Sequence, residues 1–276
     1  MMSDFVCSEK YYGKHATTKF GNSPRLGKYG KIGGKYPSIS DEGWLFGSLS
    51  SSFGTKKVCS MKNTLNNLQN DFLREFFSRE NHFYLTGGAA LAGFYFGHRK
   101  TEDIDLFTLE NEIENGFAIV REVAQTLSAK VESIQTSPDF RRLLVKRGDE
   151  AVVVDLIREY VFQLEREKRE INGIRIDSPE EIMANKLCTL LSRAEIRDLV
   201  DVRELEKAGF DLEDALAAAQ KKDTGLSPGQ LAWILDQIKL GDNLIPPGSL
   251  PVAELREYLI DLTSRLKRLA FPTIGL

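Results

Sequence analysis

The sequence predicts an α+β fold in which an α/β core is followed by a helical region. Two observations lead to this prediction. Between about residues 61 and 177, short β-branched and aromatic runs alternate with helical patterns. From residue 178 onward, the apolar residues recur almost entirely at helical spacing. We therefore expect three segments: a flexible or disordered N-terminal extension at 1–60, the α/β core at 61–177 and a helical C-terminal domain at 178–276.

Composition narrows the functional classes. The chain has 276 residues, of which 42% are hydrophobic and 28% charged, as in ordinary soluble proteins. Its net charge of -3 gives no overall basic field of the kind that marks many nucleic-acid-binding proteins. The three cysteines lack the spacing of a zinc site or a disulfide framework. No apolar run reaches the roughly 18 residues needed to span a membrane. We expect a cytoplasmic protein with no membrane partner.

The first 60 residues differ in character from the rest. They are rich in Gly, Ser, Lys and Tyr and show no sustained helical or strand period. Such a segment buries too little apolar surface to offset the entropy of ordering, which predicts flexibility. Two alternatives stay open: a basic arm that contacts nucleic acid, and an upstream extension of a chain whose translation begins at Met61.

The elements of the core follow from periodicity and turn residues. A helix is expected at 65–77, and a short strand at 83–85 ends at a Gly-Gly turn that opens a second helix at 89–97. The remaining predictions are strands at 103–107, 131–134, 143–146, 151–157 and 173–176, with a helix at 113–129. Ser178 and Pro179 then form a strong helix start, with a capping side chain followed by proline at the first helical position.

The helical region carries one polar stripe of interest. Lys186, Leu190, Arg193 and Arg197 recur at spacings of four, three and four, which places them on one side of a continuous helix. Its three cations would attract a triphosphate if they face the core, although a solvated face is the alternative. On the same helix, Asp198 is a candidate general base that would remove the proton of a substrate hydroxyl. The alternative is that Asp198 is an ordinary carboxylate on the helix surface.

The later helices and other basic clusters carry no clear chemistry. Three amphipathic helices at 212–219, 228–239 and 252–269 are expected to bury their apolar residues, Trp233 among them. The pair Arg141-Arg142 is expected to be solvated. If this protein acts on RNA, at least one such basic cluster should lie beside the site where the RNA binds.

Three acids carry the main functional prediction. Asp103 and Asp105 stand two apart on a predicted strand, so both carboxylates point to one face. Two carboxylates about 4 Å apart repel by roughly 4 kcal/mol at an effective dielectric near 20. Mg²⁺ relieves that repulsion. Asp155 lies in another apolar strand, and if the two strands are neighbours it completes a clamp for two Mg²⁺ ions.

The turn at Gly87 and Gly88 completes this arrangement. Glycines between a strand and a helix let the backbone approach a phosphate and aim N–H groups at it. Nearby, the forked guanidinium of Arg99 suits a triphosphate, or else it lies in an exposed loop. A Gly-Gly turn or an Asp-x-Asp pair alone is a weak signal, but the two in this order are far more specific.

These motifs resemble a known family. The segments are 85–92 with its Gly-Gly turn, His98-Arg99, Asp103 to Phe107, Ala184 to Lys186, and Arg197 to Asp201. Together, over about residues 80–205, they look like the abortive-infection nucleotidyltransferase toxins of the AbiEii/AbiGii type. Those proteins belong to the polymerase-beta-like superfamily, so the resemblance implies a nucleotidyltransferase core with a mixed sheet.

The resemblance also implies roles for individual residues. Gly87 and Gly88 would bind the NTP, Asp103 and Asp105 would hold metal, and Lys186 with Asp198 would act in nucleotide handling or base chemistry. The wider superfamily has a serine after the first glycine of the turn, where this chain has Gly88. Phosphate binding would then depend on backbone N–H groups, helped by Thr86 or Arg99.

The sequence therefore predicts a Mg²⁺-dependent enzyme. It would move a nucleotidyl group from an NTP to a hydroxyl such as a tRNA 3′ end, as the toxin of a toxin–antitoxin pair with a cognate antitoxin. Two alternatives stay open: a non-catalytic module that binds a nucleotide or a partner, and an enzyme that modifies protein side chains. Asn substitution of either Asp103 or Asp105 should abolish NTP consumption by the enzyme, whereas nucleotide binding without any product would favour the module.

Overall fold

The computed structural model of this protein describes residues 64–271. The predicted extension at 1–60 lies outside the described residues. Strands occupy the first part of the described chain and end at Ile176, and from Pro179 onward the elements are helices. The division into a core and a separate helical domain stays a prediction.

A mixed sheet of seven strands forms the centre of the described chain. The strands are β1 (Phe83–Thr86), β2 (Asp103–Thr108), β3 (Lys130–Ser137), β4 (Phe140–Arg147), β5 (Glu150–Arg158), β6 (Arg169–Ile171) and β7 (Ile174–Ile176). Their order across the sheet is β3-β4-β5-β2-β1-β7-β6. The pairs β2–β5 and β1–β7 are parallel, and the other neighbours are antiparallel. This confirms the α+β class and the mixed sheet.

Eight α-helices surround the sheet or follow it in the described part of the chain. They are α1 (Asn67–Phe77), α2 (Gly87–Ala90), α3 (Ile113–Thr126), α4 (Pro179–Arg193), α5 (Ile196–Lys207), α6 (Leu212–Lys222), α7 (Pro228–Asp236) and α8 (Val252–Ala270). A π-helical turn (Leu91–Tyr95) continues α2, and a 3-10 turn (Pro247–Ser249) precedes α8. Among these described helices, none is long and apolar enough to cross a membrane.

Local chemistry explains where the main helices begin. At α1, the side chains of Asn66 and Gln69 each accept the other's backbone N–H, which forms a capping box. At α4, the Ser178 hydroxyl accepts the N–H of Glu181 at 3.3 Å, and Pro179 occupies the first helical position. The predicted start of the helical region is therefore confirmed.

The two faces of the sheet have different tasks. Helices α1 and α3 cover one face, where Ile104 and Leu106 of β2 are fully buried. Packing there is tight at Gly116 of α3, because a Cβ atom would lie 2.6 Å from the Phe83 ring. The opposite face carries a small apolar cluster, consisting of Tyr84, Phe107, Phe140 and Ile157. Polar side chains lie beside that cluster.

Three details differ from the sequence prediction. The helix expected at 89–97 ends at Tyr95 through a π-helical turn. The continuous helix expected through Arg197 ends at Arg193, because Ala194 adopts the left-handed conformation with φ 51°. Trp233, predicted to be buried, is 66% exposed because α7 buries the neighbouring side chains Leu231, Ala232 and Leu235 instead.

Candidate active site

Strand register aligns the predicted acids on one face of the sheet. Strands β2 and β5 are parallel neighbours, and Asp105 is directly opposite Asp155. Side chains directly opposite in neighbouring strands share a face, and so do residues two apart in one strand. Asp103 therefore lies on the same face as both. The prediction that the two strands are neighbours is confirmed. The assignment of these acids to metal binding stays a prediction.

The acids form part of a row that crosses four strands. Arg142 of β4 is opposite Asp155, which is opposite Asp105, which is opposite Thr86 of β1. We call these four residues the polar row. The apolar cluster of Tyr84, Phe107, Phe140 and Ile157 forms the next row of the same face. The polar row thus lies beside an apolar floor, an arrangement suited to holding phosphates next to a nucleobase.

Arg142 lies in an ion pair, whereas the sequence predicts that it is solvated together with Arg141. Its guanidinium donates to both carboxylate oxygens of Asp155, at 2.9 and 2.7 Å. Burial alone would lower the pKa of Arg142, but the hydrogen bonds and charge of Asp155 outweigh burial and raise it. Arg141 points to the opposite face, where it pairs with Glu114 and lies 4.4 Å from the Phe117 ring centre. Strand alternation separates these two neighbours, which the charge pattern could not reveal.

The Gly-Gly turn contacts both an acid and an arginine. Gly87 has a φ of +64°, and a Cβ atom there would lie 2.5 Å from a carboxylate oxygen of Asp105. At Gly88, a Cβ atom would lie 2.4 Å from a terminal nitrogen of Arg99. A serine in place of Gly88 would therefore collide with that guanidinium. The turn is glycine at both positions because the polar row and Arg99 approach it so closely.

Arg99 lies in a buried ion pair, and its assignment to the triphosphate stays a prediction. Its side chain is only 5% exposed, and its guanidinium binds both oxygens of Asp201 at 2.7 and 2.8 Å. His98 contacts the same carboxylate at 2.7 Å. Burial would raise the pKa of Asp201, but Lys186 and Arg99 hold it well below its usual range. The guanidinium expected to bind triphosphate is therefore already bound to a carboxylate inside the protein.

Lys186 and Asp198 also lie in buried ion pairs. The Lys186 ammonium is 2.7 Å from Asp198 and 3.0 Å from Asp201, and all three side chains are at most 4% exposed. Arg193 contacts Asp198 as well, at 2.8 Å. Asp198 is thus a buried carboxylate held by two cations, and its assignment as a base stays a prediction, as does nucleotide binding by Lys186. Lys186 is inside the fold, so the solvated-face alternative is wrong for this residue.

Arg197 lies nearer to the sheet than the other stripe residues. Because the chain turns at Ala194, Arg197 belongs to α5, where its guanidinium is 2.7 Å from Glu195 and 3.4 Å from Asp103. Its side chain is 26% exposed. Of the cations predicted for the phosphates, Arg197 is therefore the one beside the acids with access to solvent.

A small cavity adjoins the polar row. It is lined by Thr86, Gly87, Asp105, Phe107, Ile182, Asn185, Lys186 and Thr189. The side-chain oxygen of Asn185 is buried there and has no hydrogen-bond partner among the described residues. Buried amides are normally satisfied, so this oxygen is a candidate contact for a bound substrate. Asn185 belongs to the segment Ala184 to Lys186 of the helical motif, but the sequence alone assigns it no role.

The donor chemistry suits a hard divalent cation. Asp103, Asp105 and Asp155 offer carboxylate oxygens from one face, as Mg²⁺ prefers. Within residues 64–271, however, no group of three or more acidic, histidine or cysteine side chains is arranged as a ready-made metal site. Arg142 and Arg197 lie against two of the three acids. Metal binding at Asp155 would compete with the Arg142–Asp155 pair.

A buried carboxylate also lies behind the turn. Asp177 follows β7, and its backbone N–H donates to the Leu85 carbonyl at 2.9 Å. Lys168 pairs with its carboxylate at 2.6 Å, and the same ammonium is 4.3 Å from the Tyr84 ring centre. Burial raises the pKa of Asp177 to about 6, although Lys168 opposes that shift.

Comparison with known proteins identifies relatives. The family of AbiEii nucleotidyl transferase toxins, from type IV toxin–antitoxin systems, matches residues 71–271. An uncharacterised protein of Aquifex aeolicus is 30% identical over 145 residues, which cover 51% of this chain and 66% of that protein, just under two thirds of its length.

Two solved structures are similar to this chain. MenT4, a nucleotidyltransferase toxin of Mycobacterium tuberculosis, superposes with a TM-score of 0.50 at 16% identity, over 72% of this chain and 82% of that one. JHP933 of Helicobacter pylori gives a TM-score of 0.46 at 23% identity, over 74% of this chain and 92% of that one. The fold is that of the polymerase-beta-like nucleotidyltransferases.

Proposed function

We propose a specific reaction on the premise that the chain belongs to the AbiEii family of nucleotidyltransferase toxins. In this proposal the enzyme transfers a nucleotidyl group from an NTP to a hydroxyl of an RNA acceptor, such as a tRNA 3′ end. A cognate antitoxin would restrain it in the cytoplasm. Family membership also decides between the two classes considered from the sequence, because it favours an enzyme over a non-catalytic module.

One observation supports this proposal most strongly. Asp105 of the polar row lies directly opposite Asp155 and also against Gly87 of the turn. A glycine turn that opens a helix next to converging carboxylates brings an anion site and a cation site together. Nucleotidyl transfer needs both, because the triphosphate and its metal ion bind as a unit.

Mg²⁺ would be held by Asp103, Asp105 and, after release of Arg142, Asp155. When bound, it would offset the negative charge of the phosphates and steady their oxygens. The backbone N–H groups at Gly87 and Gly88 would bind phosphate from the other side. Arg197 would add a phosphate contact to those predicted for Lys186 and Arg99, and the amide of Asn185 would contact the nucleoside from α4.

Asp198 receives a different role in this proposal. It holds Lys186 and Arg193 in place and thereby fixes α4 against α5. Asp103, whose side chain is 16% exposed, is the acid nearest to solvent among the three predicted metal ligands. An acceptor hydroxyl would therefore approach from the Asp103 side of the site.

The test is nucleotide transfer from labelled NTP. Wild-type protein with each of four NTPs and total RNA should yield labelled RNA, and a parallel reaction with total protein checks the other acceptor class. Asp103→Asn and Asp105→Asn should each lower transfer at least 100-fold without a change in melting temperature, since each removes a metal ligand. Asp149→Asn, at an exposed position between β4 and β5, is the matched control and should retain full activity.

Two results would overturn the assignment. Transfer that survives both substitutions would exclude these acids as metal ligands. Label that enters protein and not RNA would replace the RNA acceptor with a protein hydroxyl while leaving the acids in place.

A further inference from the structure

We propose that Arg142 is an internal counter-cation that competes with a divalent metal ion for Asp155. The inference rests on the proposed function, because it concerns the same three acids. It adds that Arg142, on strand β4, lowers the affinity of these acids for a metal ion.

The contact itself is strong and buried. Arg142 binds both oxygens of Asp155 in a forked geometry, at 2.9 and 2.7 Å. The Asp155 side chain is 1% exposed and the Arg142 side chain 11%. An isolated buried carboxylate is costly, so Asp155 needs a cation at all times. Arg142 supplies that cation when metal is absent.

The register places Arg142 and a metal ion on the same carboxylate. Arg142, Asp155 and Asp105 are consecutive members of the polar row, on three adjacent strands. A metal ion shared by Asp105 and Asp155 would bind an Asp155 oxygen that now accepts from the guanidinium. Two cations on one carboxylate repel each other, so Arg142 lowers the affinity of Asp155 for metal, and a bound metal ion favours release of Arg142.

A displaced Arg142 has somewhere to go on the same face. Its guanidinium carbon is already 6.0 Å from the ring centre of Phe140, two residues away on β4. Cation–π contact with that ring would hold the side chain beside the acids. From there its fork can reach a phosphate oxygen of the NTP that accompanies the metal. Arg142 would thus exchange one anion for another as the site fills.

The test measures Mn²⁺ binding directly, by electron paramagnetic resonance of the free ion, on full-length protein without NTP. Arg142→Gln should bind Mn²⁺ at least tenfold more tightly than wild type, because the competing charge is gone. Arg141→Gln is the matched control, since its side chain lies on the opposite face with Glu114. Its Mn²⁺ affinity should equal that of wild type.

Two further variants keep the result interpretable. Arg142→Lys retains the charge but loses the forked contact, so it should fold as wild type does and bind Mn²⁺ with intermediate affinity. Asp155→Asn in the Arg142→Gln background should return the affinity to the wild-type value or below, because the liberated ligand is removed. Unchanged or weaker Mn²⁺ binding in both Arg142 variants would overturn the inference.

Failure of the inference is distinguishable from failure of the proposed function. If wild type binds Mn²⁺ and Asp105→Asn abolishes that binding while Arg142→Gln leaves it unchanged, only the role of Arg142 is wrong. If Asp105→Asn leaves Mn²⁺ binding unchanged, the assignment of the metal site is wrong and both proposals are overturned.

Discussion

Individual carboxylates of this protein differ according to the cations that surround them. Asp177 and Asp201 are both fully buried, yet the pKa of Asp177 is raised to about 6 whereas that of Asp201 is held well below its usual range. Burial acts in the same direction on both. Asp201 contacts Lys186, Arg99 and His98, whereas Lys168 is the cation paired with Asp177. The number of cations within reach decides the outcome.

Asp177 gives a prediction about pH. Its side-chain carboxyl should titrate with a midpoint near 6 rather than the ordinary 3.8, as followed by carbon-13 NMR. Lys168→Met should raise the midpoint further, because the charge and hydrogen bond of Lys168 both lower this pKa. Lys130→Met, at an exposed position of β3, should leave it unchanged. A wild-type midpoint below 5 would contradict the prediction.

The same carboxyl links stability to pH. Because its pKa is higher in the folded protein than the unfolded value near 3.8, the folded state binds the proton more tightly. The stabilisation from this group is complete below about pH 4 and is lost as the pH rises through about 6. In urea titrations, Asp177→Asn should therefore weaken the decline of unfolding free energy between those pH values.

At the scale of elements, strands were easier to predict than the turn between α4 and α5. The strands follow from apolar runs such as Val152 to Val154 and from turn glycines, which act locally. The turn at Ala194 contains neither glycine nor proline, and the cationic stripe continues across it at helical spacing. The helix ends there because Asp198 and Asp201 bring α5 back onto Lys186, a tertiary contact with no local signal.

That contact gives a prediction about the helix pair. Asp198→Asn should destabilise the protein by about 3–5 kcal/mol, because it removes a negative charge that offsets the positive charges of Lys186 and Arg193 inside the fold. The measurement is the free energy of unfolding from urea denaturation. Asp149→Asn should change it by less than about 0.5 kcal/mol, as expected for a surface substitution.

The same experiment separates the two roles of Asp198. A positioning role predicts that stability and transfer activity fall together. A variant of unchanged stability with no transfer activity would restore Asp198 as the base that the sequence suggested.

For the whole molecule, the sequence was sufficient to predict that three acids lie on one face of the sheet. It was not sufficient to predict which cations pair with the acids of this protein. Alternation along β2 and β5 requires only a period of two, and parallel pairing then places Asp105 beside Asp155. Which cation meets which acid depends on contacts between residues far apart in the chain, such as Arg99 with Asp201. The ion pairs that Lys186, Arg99 and Asp198 form inside the fold were accordingly not predictable, and the roles predicted for these residues stay predictions.

These long-range pairs predict cooperative unfolding. All described residues lie in one compact unit, and the buried Arg99–Asp201 pair joins the strand-rich and helical parts. Hydrogen exchange should therefore give the same opening free energy for amides in β2, β5, α4 and α5. A chain ending at residue 177 should be insoluble, because it would expose the sheet residues that the helices cover. Separate opening free energies for strands and helices would show two independent domains instead.

Gly88 has a consequence for how this site could change during evolution. A hydroxyl-bearing residue at that position meets the guanidinium of Arg99, which Asp201 fixes in place. A side chain at position 88 therefore requires the Arg99 guanidinium to shift, and that shift would loosen its contact with Asp201 on α5. The Gly-Gly turn and the distant helix are thus coupled, so that the effect of Gly88→Ser should depend on the residues at 99 and 201.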